Sequence, residues 1–167
     1  MMTEEKERTS ILFVCMGNIC RSPTAEGVFL KTLADCAPDL DVEVDSAGTH
    51  SYHVGHAPDR RAQDAAQARG VDLSSLRARL VIEEDFSRFD LVLAMDQDNI
   101  SELHEICPAE YRSRVRLLMD FAPTGTLPCV PDPYYGSGNG FEKVLDLVEI
   151  AALGLIEELR RTSEPVS

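Results

Sequence analysis

Apolar residues fall along this chain in short blocks and in helically spaced stripes, and the two patterns alternate. Ile11-Leu12-Phe13-Val14 runs into Cys15, and Val42–Ser46, Asp90–Met95 and Val115–Met119 hold further short runs. Continuous rather than alternating hydrophobicity predicts strands covered on both faces, as in a parallel sheet. Between the runs the spacing is helical. Ser22-Pro23 opens one helix, with Pro23 at the first helical position and Ala25, Val28, Phe29 and Leu33 on a shared face. Pro58-Asp59 opens a second, carrying Ala62, Ala65 and Ala66, and Gly70 stands where the glycine after a helix belongs. Ile100, Leu103 and Ile106 mark a third, stopped by Pro108. The longest stripe is Phe141, Val144, Leu145, Val148, Ala152, Leu155, Ile156 and Leu159, which predicts a closing helix over residues 140–161.

Strands alternating with helices predict right-handed crossovers and an open α/β sheet. Ligands of such sheets bind beyond the carboxyl ends of the strands, near a switch point. The segment 15–22 lies at the end of the first strand, so it is the first place to look for chemistry.

Composition narrows the setting. The chain has 167 residues, enough for one domain with a full core. Residues 10–161 are expected to form that domain, with 1–9 and 162–167 as flexible terminal segments. The charged stretch Met1 to Ser10 precedes an apolar run too short for a secretory signal. No stretch approaches the ~18 apolar residues of a membrane span. A cytoplasmic protein is expected. A net charge of −13 argues against nucleic acid and anionic membrane as partners. It does not exclude a small anionic ligand, because charges beyond a Debye length of ~8 Å are largely screened.

The five cysteines, Cys15, Cys20, Cys36, Cys107 and Cys129, are odd in number and dispersed, which argues against a disulfide framework. No Cys-x-x-Cys pair exists, and His50, His53, His56 and His104 have no cysteine at ligand spacing. No metal and no cofactor are expected. His50, His53 and His56 are read as a polar surface loop.

Cys15-Met16-Gly17-Asn18-Ile19-Cys20-Arg21-Ser22-Pro23 combines a nucleophile with an anion cradle. A helix amino end offers unpaired N–H groups and the positive end of the dipole. Gly17 permits a tight turn, and Asn18 tolerates a left-handed conformation. A loop curled this way aims successive amides inward, and Arg21 adds a planar fork suited to a tetrahedral oxyanion. The same positive field favours the thiolate of Cys15. Ser22 stands close enough in sequence to hydrogen-bond the sulfur. Cys20 is either a small packing residue or a partner that captures oxidised Cys15 as a reversible disulfide.

A phosphate ester also needs its leaving oxygen protonated. Pro131-Asp132-Pro133-Tyr134-Tyr135-Gly136 supplies a carboxyl group on a loop stiffened by proline on each side. Asp132 is the candidate general acid, and Tyr134 and Tyr135 are candidate pocket walls for an aromatic leaving group. Asp96 and Asp120, at strand ends, are read as caps for helices or loops.

These residues resemble the low-molecular-weight protein tyrosine phosphatases from about Ser10 to Arg161. The similarity is carried by Leu12 to Pro23, by Asp45-Ser46-Ala47-Gly48-Thr49, by Ala94-Met95-Asp96 and by Asp132-Pro133-Tyr134-Tyr135-Gly136. The resemblance implies a phosphotyrosine phosphatase I-like fold, a four-stranded parallel sheet in a three-layer α/β/α arrangement. It implies hydrolysis of phosphotyrosine and small aryl phosphates through a cysteinyl-phosphate intermediate, without metal or cofactor. Cys15 would attack phosphorus while Arg21 and the amides of Met16, Gly17, Asn18, Ile19, Cys20 and Ser22 hold the oxygens. Asp132 would protonate the phenolate and then activate water. Asn18 and Ser46 match positions that keep the loop in shape, and Ile19, Tyr52, Tyr134 and Tyr135 match the pocket walls. The implied partner is a phosphotyrosine-containing protein, such as a tyrosine kinase, met by a monomer. Two positions depart from the pattern: Leu76 stands where many members have a histidine supporting the loop, and Leu80 where many have glutamine.

Three other readings share the oxyanion loop. A protein arginine phosphatase resembling this family has threonine where this chain has Ile19. A thiol-dependent arsenate reductase relays electrons through two further cysteines, and Cys107 and Cys129 lack the close pairing of that relay. A catalytically silent oxyanion or redox sensor would have no use for Cys15, Arg21 and Asp132 together.

Overall fold

The structure is a computed structural model that describes residues 8–133 and 139–163. Tyr134 and Tyr135 lie outside the described residues. Four parallel strands, β1 (Thr9–Cys15), β2 (Val42–Gly48), β3 (Leu91–Ala94) and β4 (Val115–Leu117), form one sheet in the order β2-β1-β3-β4. The helices are α1 (Arg21–Cys36), α2 (Arg60–Gln67), α3 (Asp85–Arg88), α4 (Gln97–Ile106) and α5 (Gly140–Ser163). No helix among the described residues is long and apolar enough to cross a membrane.

The continuous apolar run of β1 is explained by burial on both faces. Ile11 and Phe13 enter one core with Leu93, Met95, α1 and α5, whereas Leu12 and Val14 enter the other with Val92, Ala94, Phe86 and Leu103. Each fully buried side chain of this size contributes ~2 kcal/mol. The helical stripes face the first core as spaced: Ala25, Val28, Phe29 and Leu33 of α1 are buried, and so are Val144, Leu145, Val148, Ala152, Leu155, Ile156 and Leu159 of α5. Phe141 stays half-buried beneath the Arg61 guanidinium, 4.9 Å from the ring centroid.

The structure corrects several boundaries. α1 begins at Arg21, so Pro23 stands at its third position rather than its first. It is tolerated because first-turn N–H groups have no partner within the helix. β1 and β2 are longer than their apolar runs, held by pairing from Thr9 opposite Val42 to Cys15 opposite Gly48. β4 stops at Leu117, and Leu118 and Met119 turn into a 3-10 segment, Leu118–Phe121, that still buries both side chains. Gly70 has φ +82°, the left-handed conformation that favours glycine. The short α3 and the 3-10 turn Ala109–Arg114 carry no helical stripe that would predict them.

β1 and β3 are neighbours, while the chain leaves β1 towards β2 on the other side. The loop after Cys15 therefore opens at the point where strand order reverses, where an α/β sheet leaves a crevice.

Candidate active site

Cys15 ends β1 and is 3 % exposed. Its Sγ receives hydrogen bonds from the backbone N–H of Asn18 at 3.3 Å and of Ser22 at 3.4 Å, and lies 3.1 Å from Ser22 Oγ. The start of α1 has no side-chain cap, since Cys20 at that position makes no capping hydrogen bond. Its first-turn amides are thus left for the loop interior, and the positive end of the helix dipole faces the sulfur.

The curl of the loop depends on Asn18 rather than on Gly17. Asn18 has φ +60°, and no other non-glycine residue among the described residues takes positive φ. Its side chain is buried and fully occupied: Nδ2 donates to Ser22 Oγ at 2.8 Å and to Ser46 Oγ at 3.0 Å, and Oδ1 accepts from Arg79 N at 2.9 Å. Gly17 has a different duty. A Cβ there would meet His53 Cδ2 at 2.9 Å, so glycine lets the 50–56 segment close over the loop. Gly48 plays the same part from β2, where a Cβ would meet Met16 O at 2.7 Å.

Ser46 passes the network on, donating from Oγ to Glu26 Oε1 at 2.8 Å. Leu76 is half-buried against the first core, and Leu80 forms a bridge with Gly48. With Leu76 at its position, the loop is braced by the Arg79 amide and by Glu26 through Ser46.

Arg21 is 2 % exposed. One of its terminal nitrogens donates to Asp96 Oδ2 at 2.5 Å and to the Val130 carbonyl at 3.0 Å, and the other lies 3.7 Å from Asp132 Oδ2. Burial works against its charge, but Cys15, Asp96 and Asp132 outweigh it and hold the guanidinium pKa above its usual value. Asp96 does more than the cap foreseen for it. It closes a capping box with Asn99 at the start of α4 and also anchors Arg21.

Cys15, Met16, Gly17, Ile19, Cys20, Arg21, Tyr52, His53 and Asp132 line one small cleft. Of the sequence-derived set these residues share the cleft, Asn18, Ser22 and Ser46 stand directly behind it, and Tyr134 and Tyr135 lie outside the described residues. Tyr52 is 71 % exposed and stacks on His50, ring centroids 5.2 Å apart and planes 4° from parallel. His53 was missed. The sequence places it in a polar surface loop, yet it lines the cleft. Its adjacency to Tyr52, a candidate wall, was the only available signal. Cys20 is buried beside the same cleft, and its thiol pKa is pushed up to about 12 by burial, then by Asp59, Cys15 and Asp132, against the opposing pull of Arg61. Among the described residues no group of His, Cys, Asp and Glu side chains is arranged to hold a metal ion.

A thiol that accepts amide hydrogen bonds, a buried guanidinium and a carboxyl group around one small cleft can bind a tetrahedral oxyanion and transfer it to sulfur. Comparison with known proteins agrees. The family model described as low molecular weight phosphotyrosine protein phosphatase matches residues 10–164. The low molecular weight protein-tyrosine-phosphatase of Streptomyces coelicolor is 42 % identical over 158 residues, covering 92 % of this chain and 95 % of that protein. The human low molecular weight phosphotyrosine protein phosphatase is 40 % identical over 146 residues, covering 84 % and 89 %. The crystal structure of a protein tyrosine phosphatase from Entamoeba histolytica with Hepes in the active site superimposes with a TM-score of 0.88 at 41 % identity, covering 93 % of this chain and 99 % of that one. The chain belongs to the low molecular weight phosphotyrosine protein phosphatase family.

Proposed function

We propose that the chain dephosphorylates tyrosine in proteins through a phosphocysteine, with Cys15 as nucleophile, Arg21 as the oxyanion clamp and Asp132 as general acid. The observation that carries these assignments is the meeting of Cys15 Sγ, its amide donors, Arg21 and Asp132 in one cleft. A phosphate ester bound there has its non-bridging oxygens held by the Arg21 fork and by amides of the loop from Met16 to Ser22. The Cys15 thiolate attacks phosphorus, the P–O bond to the phenol breaks, and Asp132 gives its proton to the departing oxygen. The Asp132 carboxylate then takes a proton from water, whose oxygen attacks the phosphocysteine and releases inorganic phosphate and the Cys15 thiolate. Ser22 Oγ, 3.1 Å from the sulfur, stabilises it both as nucleophile and as leaving group.

Ile19 and Tyr52 wall the cleft for the phenol ring, and Tyr134 and Tyr135 are assigned to the same wall on sequence. An apolar wall suits a phenyl phosphate better than a phosphorylated guanidinium. The partner is a phosphotyrosine protein, an autophosphorylated tyrosine kinase being one candidate, met by a monomer in the cytoplasm, where the nucleophile stays reduced. The test is a substrate panel in chelator: a phosphotyrosine peptide, a phosphorylated tyrosine kinase, phosphoarginine and arsenate. Turnover of the phosphotyrosine substrates, abolished by Cys15→Ser, is expected. Preference for phosphoarginine or arsenate, or turnover surviving Cys15→Ser, overturns the reading.

Cys20 is proposed as a redox partner of Cys15, supported by their shared cleft. Peroxide would convert the Cys15 thiolate to a sulfenic acid, and the Cys20 thiol would displace water from it to form a disulfide. The high pKa of Cys20 makes it a slow attacking group at neutral pH. Peptide mapping after peroxide should find the Cys15–Cys20 link, and dithiothreitol should restore activity. If Cys20→Ser recovers equally well, Cys20 is a packing residue only.

A further inference from the structure

The segment after β2 carries one wall of the cleft, and it is tied to α4 by contacts that the reaction as derived does not use. Tyr52 lines the cleft although its side chain is exposed, so its ring takes its place from its immediate neighbours. It stacks on His50, centroids 5.2 Å apart, and meets His53 edge-on at 6.5 Å. His50 in turn faces Glu102 on α4, with Nε2 3.5 Å from Oε2. Thr49 Oγ1 joins both, donating to Glu102 Oε1 at 2.9 Å and lying 3.1 Å from His50 Nδ1. Tyr52 is thus connected, through His50, to a carboxylate on the helix that begins at Asp96, the anchor of Arg21.

Counting hydrogens shows that His50 completes this clasp only as the imidazolium. Thr49 has a single hydroxyl hydrogen. Given to Glu102, it leaves Thr49 Oγ1 as an acceptor, so Nδ1 must carry a proton, and Nε2 needs a second one to meet the carboxylate. A neutral imidazole has one N–H, and one of the three contacts is then left with lone pairs face to face. The imidazolium satisfies all three, and its charge is also drawn to the face of the Tyr52 ring. The titratable groups that face His50 come from three places. α4 supplies Glu102 and, one turn earlier, Asp98, which lines a neighbouring cleft with Glu102, Asp96, Arg21 and Asp132. Its own segment supplies Tyr52 and His53. The loop after β1, with Cys15 and Arg21, meets it through the Met16 carbonyl, which accepts from His50 N at 2.9 Å. That bond, and the one from Thr49 N to Cys15 O at 3.0 Å, fix the backbone independently of the clasp.

We propose that His50 and Glu102 are positioning residues for Tyr52: the clasp between α4 and the segment after β2 holds the tyrosine ring as a wall against the aryl group, and loss of the His50 proton loosens it. The inference rests on the cleft taking an aryl phosphate. It deepens that reading by giving aromatic recognition a pH dependence in the range where histidine changes charge.

The test compares two oxyanions that fill the same loop. Inorganic phosphate has no ring for Tyr52 to meet, whereas phenylphosphonate has one. Their dissociation constants are measured by calorimetry at about pH 6 and about pH 8, on either side of the histidine range, and contacts to the phosphoryl oxygens cancel in the ratio. In the wild type the preference for phenylphosphonate should be about 2- to 10-fold larger at the lower pH, the effect of ordering one side chain. His50→Phe keeps a ring against Tyr52 but has no proton to lose. Glu102→Gln keeps an acceptor for Thr49 and offers an N–H that an unprotonated Nε2 can accept. Each should abolish the rise while leaving the affinity for phosphate as in the wild type, and Tyr52→Ala, at an exposed position, should abolish it too. No rise in the wild type, a rise retained by any folded variant, or equal weakening of both ligands overturns the proposal. None of these readouts uses turnover. A rise in a chain that turns over no aryl phosphate removes the functional reading alone, and an active chain without the rise removes this inference alone.

Discussion

Arg21 concentrates the electrostatics of the site in one side chain. A guanidinium that is 2 % exposed is costly unless paired, and here Asp96, Asp132 and the Cys15 sulfur surround it. Asp132 has two relations at once, to Arg21 at 3.7 Å and to the cleft that it lines. Its proton matters most where the leaving oxygen is strongly basic. Asp132→Ala should therefore slow phenyl phosphate by about 10²- to 10⁴-fold, the usual range for general acid catalysis, and p-nitrophenyl phosphate much less. Steady-state kcat over a series of substituted phenols checks this, and equal slowing across the series removes the assignment. At this scale the sequence was legible for residues with distinctive chemistry in one short segment. Cys15, Asn18, Arg21 and Ser22 are such residues, and Asp132 announced itself through its flanking prolines. Glu26 and His53 were not legible. Their importance comes from Ser46 and Gly17 respectively, contacts between segments distant in the chain.

Among elements, the long periodic segments were the readable ones. α1 and α5 bury nearly all the residues that their stripes mark, because a long helix has to hide one face, whereas of the α4 stripe only Leu103 is buried, Ile100 is half-buried and Ile106 is exposed. Short elements follow their surroundings. α3, only 4 residues long, is fixed by Asp85, whose carboxylate accepts from Ile82 N and pairs with Arg79. β4 is 3 residues long because only Val115, Arg116 and Leu117 find partners on β3. The close approach of α5 to the Leu118–Phe121 turn was hidden as well. A Cβ on Gly154 would stand 1.8 Å from the Phe121 carbonyl oxygen, so a glycine inside a helix is used here for packing. The start of α1 shows the opposite compromise. It forgoes a side-chain cap, worth ~1 kcal/mol in an ordinary helix, and leaves its amides for the sulfur and its ligand.

The whole molecule is strongly acidic, with a net charge of −13, yet it forms a small site whose donors suit an oxyanion. The two facts are compatible because the site works through groups within a few Å, inside the screening length. The fold gathers these groups from the end of β1, the start of α1, the segment after β2, the start of α4 and the loop at Val130 to Asp132. All meet at the carboxyl edge of the sheet, where β1 and β3 adjoin. The central claim is that phosphate passes through sulfur on its way to water. Rapid mixing with a phosphotyrosine peptide, acid quenching within the first turnover and peptide mass spectrometry test it directly. The expected result is a phosphoryl group on the peptide carrying Cys15, formed no later than the dephosphorylated peptide and absent from Cys15→Ser. Release of the dephosphorylated peptide with no phosphoryl group on Cys15, or with one on another residue, would contradict the account.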